Sequence, residues 1–250
     1  MSFQTFIFAS QERSLKTLAR FLQRFLDIPR RREIPPGEKW PGKLPYPFLL
    51  IAEDHALTAF ACEHLRLHFP SRDFFLIILD AHLDIFTHPE SSQTLHRGNF
   101  LRYLLDRKIV TEETLFVAPL EDSLPALEEG LRSFGEGVYY LSWDIDFGFP
   151  QYAFFPVRQR LPFSTLQEIF RLLGSHLHKK NRYLVGMDIV EINSASLRYP
   201  EKVAFEITTL LKHLYPEKIP ATPLPLSGDA FPYRHPPSLP QEAQQSNLQL

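Results

Sequence analysis

The stretch FFLIILDAHLD, from Phe74 to Asp84, decides the fold of this 250-residue chain. Its first six residues are all apolar, which is the pattern of a strand buried on both faces of a parallel sheet. The polar residues that follow, Asp80, His82 and Asp84, alternate along the chain, so an extended segment points their side chains to one side. The stretch therefore predicts a buried strand with three potential metal ligands at its carboxyl end.

Other apolar runs alternate with segments of helical periodicity on both sides of this stretch. Strands are predicted at residues 3–8, 48–51, 74–79, 114–118, 138–142 and 183–187, and helices at 15–26, 56–67, 99–107, 124–131, 164–177 and 204–214. Residues 28–47, rich in Pro and Arg, are predicted to be a loop. The alternation predicts an α/β fold, with a mostly parallel central sheet flanked by helices.

Composition limits the classes of function that remain open. Lys and Arg number 27 against 29 Asp and Glu, a formal net charge of −2, whereas a general nucleic-acid binder usually has a strong basic excess. The single cysteine, Cys62, excludes a disulfide framework and is expected to be buried in a reduced cytoplasm. No apolar stretch is long enough to span a membrane. We therefore expect a cytoplasmic protein with no nucleic-acid or membrane partner.

Four short segments carry most of the chemically active side chains, and each follows a predicted apolar strand. They are Glu53–His55, Asp80–Asp84, Asp144–Asp146 and Asp188–Glu191. Because ligands bind at the carboxyl ends of the strands in open α/β sheets, we expect these segments to meet at one rim. The side chains expected there are His55, Asp80, His82, Asp84, Asp144, Asp146 and Glu191.

The two histidines and four aspartates of this set form an oxygen-rich group of donors with no thiolate. Such a set suits hard or borderline divalent ions, Mn²⁺ above all. Four carboxylates balance the charge of two divalent cations, and a pair of cations is able to lower the pKa of a shared water to near neutral. An isolated Asp-x-Asp is common in loops, but four acidic segments at strand ends favour a metal site with two ions.

These motifs resemble those of the arginase/agmatinase (ureohydrolase) family. That family carries Gly-Gly-Asp-His, Asp-Ala-His-x-Asp, Ser-x-Asp-x-Asp and Asp-x-x-Glu in this order. The corresponding segments here are AEDH (Ala52–His55), DAHLD (Asp80–Asp84), SWDID (Ser142–Asp146) and GMDIVE (Gly186–Glu191). The resemblance implies a three-layer arginase-like fold and a metal-dependent hydrolase of carbon–nitrogen bonds other than peptide bonds. We expect one catalytic domain over residues 1–225 and a Pro- and Gln-rich, partly disordered tail over residues 226–250.

The resemblance also implies a role for individual residues. The ligands of two manganese ions per chain would be His55, Asp80, His82, Asp84, Asp144 and Asp146. Glu191 matches the carboxylate that receives the substrate guanidinium, a pairing that two parallel hydrogen bonds favour. His96 matches a histidine that shuttles protons near the leaving amine, and His88 is a competing candidate. The expected catalytic residues are therefore Asp84, Glu191 and His96.

The sequence differs from the family pattern in segments that the family uses for substrate recognition. Ala52 and Glu53 replace the paired glycines, and Phe86 stands where arginases have an Asn that binds the amino-acid end of free arginine. The segment FGFPQYAFFP, residues 147–156, is aromatic where the family is rich in Gly. It is interpreted either as part of the core or as a substrate-facing wall, and in the second case Phe149 and Tyr152 are expected to offer surface to a flanking chain. With these differences, the chain most resembles the peptide arginases, a branch of the family that converts peptidyl arginine to ornithine.

Several alternatives stay open. The first is a small-molecule ureohydrolase acting on agmatine or a guanidino acid, and the second is a catalytically inactive metal-binding protein. A deacetylase-like amide hydrolase with one metal is disfavoured, because such a site would not need His55 and Asp84. His64 and His68, four residues apart on a predicted helix, are interpreted as a solvated face. The oligomeric state and the identity of the peptide stay undetermined.

Overall fold

The structure, a computed structural model, describes residues 3–9, 12–33, 46–82, 95–121 and 123–214. These ranges belong to one compact unit, Met1–Pro220. The predicted domain boundary at residue 225 and the tail beyond it lie outside the described residues and stay predictions. Asp84, Phe86 and His88 lie outside them too.

A parallel sheet forms the centre of the molecule. Within the described ranges it has seven strands, in the order β2-β1-β3-β7-β6-β4-β5, and every neighbouring pair is parallel. The strands are β1 (Thr5–Ala9), β2 (Arg30–Glu33), β3 (Phe48–Ala52), β4 (Phe74–Leu79), β5 (Leu115–Ala118), β6 (Gly137–Asp144) and β7 (Arg182–Val190). The predicted α/β fold with a parallel central sheet is confirmed.

The prediction of a loop over residues 28–47 is wrong for the edge strand β2. Its four residues, Arg30–Glu33, are all exposed, and they pair with β1 through the backbone. Charged residues are common on edge strands because they oppose pairing with another chain. No apolar pattern therefore marks this strand in the sequence.

Helices cover both faces of the sheet. They are α1 (Arg13–Phe25), α2 (Ala56–His68), α3 (Phe100–Asp106), α4 (Ser123–Ser133), α5 (Phe163–Leu177) and α6 (Pro200–Leu211). Buried residues of α1, α4, α5 and α6 share one hydrophobic core with Phe75, Ile77 and Leu79, whereas α2 and α3 pack together on the other face. In the part of the chain that is described, no helix is long and apolar enough to cross a membrane.

The strand order places the four chemically active segments side by side. They lie at the carboxyl ends of β3, β7, β6 and β4, which are consecutive neighbours in the sheet and run in one direction. Leu79 lies opposite Trp143, and Ile189 lies opposite both Trp143 and Ile51. The residues that follow these positions therefore emerge together at one rim.

Candidate metal centre

Two groups of potential ligands lie at this rim. One contains His55, Asp144 and Glu191, and the other contains Asp80, His82 and Asp146; within each group, one ligand atom per residue lies within 4.8 Å of the others. Five of these six side chains are buried, and only that of His82 is exposed. The structure thus brings together every described residue of the predicted ligand set, with Glu191 beside them. Their assignment as ligands stays a prediction.

Asp80, a member of the second group, also faces His55 of the first group. Its Oδ2 is 3.7 Å from His55 Nδ1, and its Oδ1 is 4.0 Å from His82 Nδ1. Within the groups, His55 Nδ1 is 3.4 Å from Asp144 Oδ2, and His82 Nδ1 is 2.7 Å from Asp146 Oδ2. The Asp80 carboxylate therefore faces both imidazoles, at distances of 3.7 and 4.0 Å.

The backbone fixes one oxygen of each aspartate. Asp80 Oδ1 accepts a hydrogen bond from the His82 amide at 2.7 Å, and Asp144 Oδ1 accepts one from the Asp146 amide at 2.9 Å. Asp146 Oδ1 accepts one from the Ala81 amide at 3.1 Å, which ties the segment after β4 to the segment after β6. In each case the Oδ2 atom remains directed at an imidazole.

A buried hydrogen-bond chain orients His55. Ser142 Oγ donates to Asp188 Oδ1 at 2.7 Å, so at 3.1 Å it accepts from His55 Nε2. This arrangement places the imidazole proton on Nε2, so that Nδ1 carries the lone pair that a metal ion would bind. The imidazole also stacks on the Phe100 ring, with centroids 4.0 Å apart.

Asp188 is the hub of this chain, and sequence reasoning gave it no role. It is fully buried and also accepts at Oδ2 from Thr58 Oγ1 at 2.7 Å and from Tyr140 OH at 2.8 Å. The sequence does contain one signal for it, an acidic residue within the apolar run of β7. A carboxylate buried in a strand needs hydrogen-bond donors, so its position predicts a network of polar partners.

The electrostatics of the site favour a bound cation. Burial raises the pKa of the Asp144 carboxyl well above its ordinary value; the carboxylates of Asp146 and Asp80 raise it further, and His55 opposes them. Burial also raises the pKa of Asp146, against the lowering effect of the Ala81 amide and His82. Crowded, desolvated carboxylates are costly when charged, and divalent cations offset that cost. The oxygen-rich donor set therefore fits divalent metal ions.

Glu191 stands at the end of β7 in an uncommon backbone conformation. Its φ is +59°, in the left-handed region, where non-glycine residues are uncommon and often functional. Its carbonyl accepts from the Phe154 amide at 3.3 Å, and its side chain is only 8% exposed. The Arg97 Nε atom lies 3.8 Å from its Oε1. No pattern in the sequence had singled out Arg97.

His96 lies outside both ligand groups, on the turn that precedes α3. His96 is exposed, its Nδ1 accepts from the Gly98 amide at 3.2 Å, and its own amide donates to Asn99 Oδ1 at 2.8 Å. The neighbouring Arg97 contacts Glu191, so this turn borders the site. The predicted role of His96 in proton transfer stays a prediction.

Two expectations for aromatic and histidine side chains are wrong. Phe149 is fully buried in the core, so it offers no surface to a substrate; Phe155, 59% exposed, does. His64 is buried rather than solvated, with Tyr46 OH 3.3 Å from its Nε2, whereas His68 is exposed as expected. The expected burial of Cys62 is confirmed.

Comparisons with known proteins agree with this fold. The sequence profile described as Arginase family matches residues 6–129. No curated protein sequence is similar enough to count as a match. Among solved structures, proclavaminate amidino hydrolase from Streptomyces clavuligerus aligns with a TM-score of 0.63 at 15% identity, covering 86% of this chain and 92% of the other.

Two further solved structures share the fold. Entamoeba histolytica arginase, in complex with L-ornithine, aligns with a TM-score of 0.63 at 16% identity over 86% of this chain and 98% of the other. A variant of Trypanosoma cruzi formiminoglutamase, solved with Mn²⁺, aligns with a TM-score of 0.63 at 14% identity over 84% of this chain and 92% of the other.

The chain belongs to the arginase family, whose profile covers the first two predicted metal motifs. It is therefore a hydrolase of the class that acts on carbon–nitrogen bonds other than peptide bonds. The three-layer arginase-like fold that the resemblance implied is confirmed.

Proposed function

We propose that the protein is a binuclear manganese hydrolase that converts peptidyl arginine to peptidyl ornithine and urea. The observation that carries the proposal is the pair of ligand groups, with Asp80 facing an imidazole of each and Glu191 at their edge. The site lies where parallel strands end, as ligand sites in this class of sheet do.

The chain's own residues would hold two divalent ions. Asp80, His82 and Asp146 would hold one, and His55 and Asp144 the other, with Asp84 as a further predicted ligand. When bound, the two cations supply positive charge that lowers the pKa of a water molecule towards neutral. Mn²⁺ suits a set of carboxylates and imidazoles with no thiolate.

Glu191 would bind and orient the substrate. A carboxylate accepts two parallel N–H bonds from a planar guanidinium, which fixes both its position and its plane. Because the Glu191 side chain is almost buried beside His55 and Asp144, a guanidinium paired with it lies next to the ligand cluster. His96 would hold the proton that the leaving nitrogen receives as the carbon–nitrogen bond breaks.

The preference for an arginine within a peptide is supported by one position in the sequence and by one exposed aromatic residue of the structure. Phe86 stands where arginases have a residue for the charged amino-acid end, and its side chain has no hydrogen-bonding group. Phe155 offers exposed aromatic surface near Arg97. Each flanking side chain that becomes buried contributes roughly 1–3 kcal/mol to binding.

The experiment compares kcat/KM for urea release from free arginine and from an arginine-containing peptide, at saturating Mn²⁺. We expect the peptide to be favoured by more than about tenfold, the equivalent of about 1.4 kcal/mol. His82→Ala should abolish turnover of both substrates, which ties the urea to this site. An equal or higher value for free arginine contradicts the peptide proposal.

A small-molecule ureohydrolase is the second candidate. It is supported by the names of solved structures with this fold, which include an arginase, a proclavaminate amidino hydrolase and a hypothetical agmatinase. Including agmatine in the same assay separates the candidates, because only this second function makes agmatine the better substrate. A protein that binds manganese but releases urea from none of these compounds would be a catalytically inactive metal-binding protein.

A further inference from the structure

Arg97 brings a positive charge to the edge of the proposed guanidinium site. Its Nε atom lies 3.8 Å from Glu191 Oε1, and its side chain is 34% exposed. Its guanidinium carbon lies 4.9 Å from the centre of the Phe154 ring and 5.9 Å from that of Phe155. The cation is therefore placed between an almost buried carboxylate and two aromatic faces.

Backbone contacts hold these aromatic residues beside Glu191. The Phe154 amide donates to the Glu191 carbonyl at 3.3 Å, and Ala153 forms an isolated antiparallel bridge with Ile192. The Asn193 amide donates to the Tyr152 carbonyl at 2.7 Å. The segment that receives Arg97 is thus tied to the strand end that presents the carboxylate.

The charges at this edge have a consequence for the substrate. The Glu191 carboxylate balances one positive charge, and a bound guanidinium uses it. Arg97 is then a second cation within a few ångströms of the substrate. A substrate with a further ammonium group places a like charge near Arg97, and like charges in a partly desolvated site repel.

We propose that Arg97 is a specificity-determining residue that discriminates against guanidines carrying a second positive charge. Agmatine has a terminal ammonium that no carboxylate balances, whereas an arginine in a peptide has a neutral amide in that place. This inference rests on the proposed function and adds a named residue to it. The protein would then select its substrate by repelling dicationic guanidines as well as by apolar contact.

The test uses two substrates that differ in one charge, agmatine and N-acetylagmatine, with the manganese-loaded full chain. We expect the wild-type kcat/KM to favour the neutral-ended N-acetylagmatine by at least about tenfold, since one nearby like charge has an effect of that order. Arg97→Gln should reduce the preference to less than about threefold, mainly by improving agmatine turnover. Because Arg97 is partly exposed, the wild-type preference should also weaken as ionic strength rises.

Two further variants separate charge from structure. Arg97→Lys keeps the charge and should keep most of the discrimination. Arg102→Gln removes an exposed arginine on α3, whose Nη2 pairs with Asp106 at 2.8 Å, and should leave the ratio unchanged.

The inference is overturned if Arg97→Gln keeps the wild-type ratio, if it lowers turnover of both substrates equally, or if Arg97→Lys loses the discrimination as Arg97→Gln does. Failure of the proposed function gives a different result, because the wild-type protein would then release urea from neither compound nor from peptidyl arginine. That result would contradict the role of Arg97 together with the proposed function.

Discussion

Replacing Asp188 with Asn tests how the fold prepares His55 to bind metal. The carboxylate of Asp188 is fully buried and accepts three hydrogen bonds of 2.7–2.8 Å, from Thr58 and Tyr140 at Oδ2 and from Ser142 at Oδ1. An asparagine has nearly the same shape, but one of its two terminal atoms is a donor.

The structure indicates which hydrogen bond reverses its direction in the variant. Its oxygen satisfies two donors if it faces Thr58 and Tyr140, which leaves the NH₂ group facing Ser142. The Ser142 hydroxyl must then accept from the amide and turn its own proton towards His55 Nε2, 3.1 Å away. That change moves the imidazole proton to Nδ1, the atom that faces Asp80 and Asp144.

The magnitude follows from the loss of this support. Residues that orient a metal-binding histidine typically contribute 10–100-fold to metal affinity, or roughly 1.4–2.7 kcal/mol. We expect Asp188→Asn to weaken Mn²⁺ binding by about that factor, measured by calorimetric titration of metal-free protein. The variant should remain folded, because it keeps the volume of the side chain and two of its hydrogen bonds.

Tyr140→Phe is the matched control. It removes one hydrogen bond to the same carboxylate but leaves the path from Asp188 through Ser142 to His55 intact. It should lower the free energy of unfolding by roughly 1 kcal/mol and change Mn²⁺ affinity by less than about threefold. Wild-type affinity in Asp188→Asn, or an equal loss in Tyr140→Phe, would refute the reasoning.

Two other predictions concern Glu191 and the buried His64. Glu191→Gln should lower kcat/KM by roughly 30-fold or more, because a desolvated charge pair contributes about 2–5 kcal/mol, while the manganese content stays near wild type; if metal and activity fall together, Glu191 is a metal ligand. Burial and His68 lower the pKa of His64 from 6.5 to about 4. As the pH falls, the unfolded chain therefore binds a proton at this residue at a higher pH than the folded chain does. The free energy of unfolding should therefore fall as the pH drops from 6.5 towards 4, by about 2 kcal/mol more in wild type than in His64→Gln. Chemical denaturation at several pH values measures this difference, and an equal pH dependence in wild type and His64→Gln would contradict the prediction.

The buried strands could be predicted from the sequence, because continuous apolar runs mark strands covered on both faces. The strand β2 could not, since Arg30–Glu33 has the composition of a loop and is held by backbone pairing with β1. The ligand motifs were visible because each follows a buried strand, and the parallel order of the sheet brings these ends together.

The residues around the ligands depend on contacts that sequence spacing does not encode. Ser142 meets Asp188 because β6 and β7 pair in that register, and Thr58 reaches the same carboxylate from α2. Arg97 meets Glu191 across a long separation in the chain. In the aromatic segment, the fold alone decides that Phe149 is buried while Phe155 is exposed.

The most direct test of the central claim is a titration of Mn²⁺ into metal-free protein while urea release from an arginine-containing peptide is followed. The two ligand groups predict that activity rises until about two equivalents per chain are bound and then stays constant. Full activity at one equivalent would contradict a binuclear centre, and the absence of urea at every manganese concentration would contradict guanidine hydrolysis itself.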